Sequence, residues 1–133
     1  MIRELRSMII NELRTAEVEA MLDTFTVGEV EYPAIFAGMM IPETFQGLNR
    51  TLLVYHTTPL GPGEVKTMNY TVNCRQETDD RSVELAEKVQ GALNRVFVHG
   101  DKTVYLQATI QPAIFETERS WNSIVEIHAR NNF

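Results

Sequence analysis

Cysteine is nearly absent from this sequence. The 133-residue chain has one, Cys74, which excludes an internal disulfide and leaves too few thiols for a cysteine zinc cage. A reducing compartment is the expected setting. Bases are outnumbered: 12 Lys and Arg stand against 18 Asp and Glu, for a net charge of −6. That balance argues against general binding to nucleic-acid phosphates, which needs clustered Lys and Arg. It is compatible with a surface past which DNA slides without adhering, because like charge repels the phosphate chain. Long apolar runs are missing too. No segment approaches the ~20 apolar residues that span a bilayer, and MIRELRSMIINELR is interrupted by charge too often for a signal peptide. A soluble, cytoplasmically made protein is expected, with no membrane partner.

Catalytic signatures are equally scarce. There is no GxSxG, no GxxxxGK and no dinucleotide glycine fingerprint. His56, His99 and His128 show no HxH or HExxH spacing. Cys74 ends an alternating apolar face, where a thiol packs as a small hydrophobe. Asp79 and Asp80 resemble metal carboxylates only in type; adjacent acids before a helix serve more simply as caps and dipole partners. No catalytic, cofactor-binding or metal site is assigned.

The remaining composition is that of an ordinary globular domain, with 44% hydrophobic and 23% charged residues. One domain over residues 1–133 is long enough to bury roughly two thirds of its unfolded surface without staples. The charge is lopsided. Residues 1–49 carry three bases and eight acids, and from Thr15 to Asn49 the acids Glu17, Glu19, Asp23, Glu29, Glu31 and Glu43 meet no Lys or Arg. A solvated acidic face is the simplest account.

Ile2, Leu5, Ile9 and Leu13 recur at helical spacing and predict an amphipathic helix to about Arg14. VEYPAIFAG reads as a strand that Pro33 confines to an edge or a bulge, followed by the loop MMIPETFQGLN. TLLVYHTT is a strand, PLGPGE an exposed turn or hairpin tip, and MNYTVNCRQ a strand with one buried and one wet face. A helix follows, with Asp79, Asp80 or Ser82 as cap and Val83, Ala86, Val89 or Gln90, and Leu93 as its stripe, supplemented by Leu85 and Ala92. HGDK is a turn, and TVYLQATIQ, AIFET and WNSIVEIHA are strands. The prediction is α+β, in the order α-β-β-β-α-β-β: a mostly antiparallel sheet of about four to six strands with both helices on one face.

Two features point to assembly. Met39 and Met40 sit in or beside a loop, where exposed apolar side chains suggest a covering partner unless the core takes them. Edge strands and an extended loop are means by which small α+β domains build rings.

In this order of elements the chain resembles the tail terminator, or tail completion, proteins of long-tailed bacteriophages. The resemblance rests on IRELRSMIINELR, EYPAIFAG, TLLVYHTTPLGPGE, MNYTVNCRQ, DDRSVELAEKVQGALN, TVYLQATIQ and WNSIVEIHA, nearly the whole chain. It implies a non-enzymatic late virion protein. Its copies would form a hexameric ring on the head-proximal end of the tail, stop polymerisation of the tube and present the head-tail joining surface. The implied partners are further copies of itself, the tail tube protein, the head-tail connector or neck protein, and passing DNA without sequence-specific binding. On this reading Met39, Met40 and the tip Pro59, Leu60, Gly61, Pro62, Gly63 and Glu64 are candidate subunit or tube contacts, and the six acids from Glu17 to Glu43 are candidate lumen groups. A neck protein of similar architecture, a small acidic adaptor, and a small-molecule-binding domain using His56, Tyr70 and His128 remain the alternatives.

Overall fold

In a computed structural model, the described residues are 2–45, 47–57, 67–100, 102–117 and 120–132. The opening helix α1 (Ile2–Glu12) buries Leu5 and Ile9, and Leu13 beyond its end continues the same stripe. A short helix α2 (Ala16–Glu19) follows; the Thr15 hydroxyl accepts a hydrogen bond from the Val18 amide at 3.3 Å. Such a side-chain cap satisfies one of the amides that a helix start leaves unpaired.

The chain then forms β1 (Thr24–Val27) and β2 (Val30–Pro33), an antiparallel two-stranded hairpin. Its two-residue turn has Gly28 at φ +64°, a backbone that glycine adopts without the steric penalty of a Cβ. Next come β3 (Ile35–Ala37), a 3-10 turn at Glu43–Phe45, β4 (Thr51–His56), β5 (Thr67–Gln76) and α3 (Asp79–Leu93). The last elements are β6 (Val96–His99), β7 (Lys102–Ile110), β8 (Ile114–Thr117) and β9 (Ser120–Asn132).

Among the described residues the main sheet has seven strands in the order β3-β4-β5-β9-β7-β6, with β8 also paired to β9. All its pairs are antiparallel except β3 with β4. The strands β7 and β8 follow one another along the same side of β9. Ile110 faces Val125 but Ile114 faces Asn122, so one extra residue is accommodated at 111–113, where Pro112 has no amide to donate.

Strand alternation separates two faces. On one, Leu52, Val54, Met68, Tyr70, Val72, Cys74, Leu106, Ala108, Val125, Ile127 and Ala129 join the buried stripes of α1 and α3 in the main core. α3 lies across β5, β9 and β7, while α1 lies over β4 and β3. A second, smaller cluster occupies the opposite face: Phe36 and Leu53 with Ala34, against Phe25, Ile41, Phe45 and Leu48. Phe25 anchors it, with ring centroids 4.5 Å from Phe45 and 5.1 Å from Phe36.

β6 covers only the first residues of β7. Beyond it, the Leu106 amide donates to the Arg95 carbonyl (3.0 Å), the Ala108 amide to Asn94 Oδ1 (3.0 Å), and Gln90 Nε2 to the Ala108 carbonyl (2.9 Å). The end of α3 thus occupies backbone groups that a bare sheet edge would expose.

The α+β class and the placement of α1 and α3 on one face agree with the sequence reading. Several details differ. VEYPAIFAG divides into β2 and β3, which belong to different sheets; at Pro33 the hairpin ends, and the Ala34 amide donates to Asp23 while its carbonyl accepts from Leu52. α2, β1 and β6 are additional elements, and the main sheet exceeds six strands. The α3 cap is Thr78, whose hydroxyl accepts from the Arg81 amide at 3.2 Å. Asp79 and Asp80 instead fall in the first turn, where the helix dipole favours negative charge. Ser82 turns inward to Ser123, 2.9 Å away.

Candidate interaction surface

The face of the sheet away from α1 and α3 carries the polar half of each alternating strand. On it Asn69, Thr71, Asn73 and Arg75 of β5 stand opposite His128, Glu126, Ile124 and Asn122 of β9. After β3 the chain turns at Gly38 (φ +136°), and Met39, Met40 and Ile41 wall a cleft of about 320 Å³ whose other lining residues are Leu53, Asn73, Arg75, Glu116 and Asn122.

Arg75 organises this cleft. Its Nε donates to Ser120 Oγ at 2.6 Å and lies 3.4 Å from Glu116 Oε2, and the Ser120 hydroxyl donates to the same carboxylate oxygen at 2.8 Å. Those contacts use one edge of the guanidinium. Its two terminal nitrogens have no partner among the described residues. Asn73 Oδ1 accepts from the Tyr55 hydroxyl at 3.2 Å. Asn122 is 7% exposed, and its Oδ1 has no partner among the described residues; a buried acceptor left unpaired costs about 1–3 kcal/mol. The cleft therefore combines a donor fork with an apolar wall. Met39 and Met40 are 70% and 75% exposed, so the core does not take them.

Apolar surface also lies at the other end of the sheet. Val96 and Val98 of β6 and Tyr105 of β7 are exposed, Val98 by 78%, and Ile114 and Phe115 of β8 are exposed as well. Phe115 makes an edge contact with Trp121, with centroids 5.2 Å apart.

The six acids do not form one patch. Glu17 and Glu19 belong to the helical layer; Glu17 borders a groove with Glu84, Glu87 and Lys88, and Glu19 lies 3.6 Å from Arg14. Glu29 and Glu31 are exposed on the β1–β2 hairpin, and Glu43 begins the 3-10 turn. Asp23 ties the base of the hairpin to the start of β4: it accepts from the Asn49 amide (2.9 Å), the Arg50 amide (3.0 Å) and Arg50 Nε (2.8 Å). Partial burial pushes its carboxyl up, but these hydrogen bonds and the Arg50 charge outweigh that effect and hold it below the usual carboxylate value. The tip Pro59 to Glu64 lies outside the described residues.

The three residues considered for a polar pocket do not converge. Tyr70 faces the core opposite Ile127, whereas His128 faces the other side opposite Asn69, with Nδ1 2.6 Å from Asn69 Oδ1. His56 is the cross-strand neighbour of Tyr70, and its buried Nδ1 has no partner among the described residues. Burial raises the Tyr70 hydroxyl to about 12, partly opposed by the charge of Arg6. Burial also pushes the Cys74 thiol well up, against any role as a thiolate nucleophile. Among the described residues no three His, Cys, Asp or Glu side chains gather as a metal site, and no helix is long and apolar enough to cross a membrane.

Arg75, Glu116, Ser120 and Asn122 escaped the sequence reading. Arg75 and Asn122 were visible as polar members of strands, but only the β5–β9 register, which sets Arg75 opposite Asn122, brings them together. No protein-family model matches the chain, and neither does any curated protein.

Proposed function

We propose that this protein is a structural subunit of a long-tailed phage, a tail terminator that closes into a hexameric ring on the head-proximal end of the tail tube. There it stops tube growth and offers the head-joining surface, without catalysis. The observation that carries this reading is the presence of two dissimilar apolar surfaces at opposite ends of one sheet: Val96, Val98 and Tyr105 beside β6, and Met39 and Met40 beside β3. A cyclic ring above the dimer uses heterologous contacts, in which one patch of each subunit meets a different patch of the next. Exposed apolar groups on both sides of a subunit supply surfaces for such contacts.

The experiment is light scattering over a wide protein concentration range with negative-stain microscopy of any large species, followed by incubation with purified tail tubes. Closed six-fold rings, or decoration of one tube end that halts extension, are the expected results. Tubes that neither bind the protein nor stop growing in its presence overturn the reading. For the loop outside the described residues, deleting Gly61 to Gly63 should abolish capping; undiminished capping removes it from the tube contact.

A further inference from the structure

We propose that the cleft beside Arg75 receives the tip of the β1–β2 hairpin from a second copy of this chain, with the Glu29 carboxylate seated on the Arg75 guanidinium. The inference deepens the ring reading and rests on the self-association that reading requires.

Two observations select this occupant. The first is charge: the terminal nitrogens of Arg75 are unpartnered while Nε is held by Ser120 and Glu116, leaving a planar fork suited to a second carboxylate. Glu29 sits at the hairpin turn, exposed, with no hydrogen bond or ion pair among the described residues. The second is the flank. Glu29 is bracketed by Val27 and Val30, 54% and 52% exposed, and the fork is bracketed by Met39, Met40 and Leu53. An apolar-acid-apolar tip thus answers an apolar-base-apolar cleft.

Size and rigidity agree. A cleft of about 320 Å³ lies at the lower limit of the ~300–1,000 Å³ range of ligand sites, which suits one or two side chains better than a cofactor. The hairpin is held at its base by Asp23 on Arg50 and by the Phe25 ring cluster, so docking its tip requires little further ordering. Glu116 opposes the incoming carboxylate, and the contact is accordingly expected to weaken as Arg75 is screened by salt.

The test is a charge exchange. Glu29→Arg and Arg75→Glu, each alone, should raise the concentration at which the chain self-associates by at least about tenfold, a change of ~1.4 kcal/mol. Combined in one chain they should bring it back to within about threefold of the parent. Because Arg75→Glu also disturbs Ser120 and Glu116, a second measurement stands apart from it: a size-tagged Glu29→Cys chain is mixed with a Met40→Cys chain under mild oxidation. A mixed disulfide between the two is expected, and its absence overturns the contact. Single charge variants that assemble like the parent overturn it too, as does a parent chain that stays monomeric at every concentration. Rings of unchanged size in the charge variants reject this contact and leave the ring reading intact. Charge-dependent assembly into two-fold dimers or open fibres supports the contact and rejects the ring.

Discussion

Asp23 shows how one side chain fixes a boundary between elements. Two backbone amides and a guanidinium converge on its carboxylate, joining the hairpin to β4 across residues distant in sequence. Asp23→Asn should lower stability at pH 7 by about 1–2 kcal/mol, since hydrogen bonds to charged groups exceed neutral ones but this one is partly solvated. The sign of the pH dependence follows from the lowered value. Its contribution is fully present above the ordinary carboxyl value of 3.8 and is lost as pH falls through the lower folded one. Denaturant melts of parent and variant should therefore converge in strong acid. Cys74 makes the opposite case: fully buried, its thiol raised by desolvation, it should resist iodoacetamide in the native protein and react on unfolding. Rapid alkylation at pH 8 under native conditions would contradict the core position.

Among the elements, α3 was the most legible from sequence because helix periodicity is local. Val83 is only half-buried, while Leu85, Ala86, Val89 and Leu93 of the expected stripe are all buried. The cap was misread because Thr78 precedes two acids that also accept amide hydrogen bonds, and only its extended backbone (φ −133°, ψ 159°) distinguishes it. Thr78→Ala should reduce stability by about 0.5–2 kcal/mol, whereas Leu85→Ala, which empties a site with no exposure, should reduce it by about 2–5 kcal/mol. Thermal or denaturant unfolding of the two variants checks the ranking. Strands were harder. The alternation of β5 was clear, but β1 and β6 are four residues each, too short for a period of two to stand out, and pairing partners are long-range. The candidate cleft, assembled from β4, β5, β8, β9 and the turn after β3, was for that reason invisible apart from Met39 and Met40.

At the scale of the whole molecule, exposed apolar groups lie at both ends of the sheet. Val98→Lys changes a residue that is 78% exposed and outside the core. It should leave the melting temperature within the small range typical of surface changes while weakening self-association, as read by light scattering. An equal loss of both would mean that β6 is needed for folding and not for assembly.

The central position of β9 has a consequence for synthesis. This strand pairs with β5 on one side and with β7 and β8 on the other, yet about 44 residues separate the end of β5 at Gln76 from Ser120. At translation rates of ~5–20 residues per second, β5 waits roughly 2–9 s for its partner. During that interval β5 has its β4 neighbour on one side and an unfilled edge on the other, the kind of edge that invites pairing with the wrong strand.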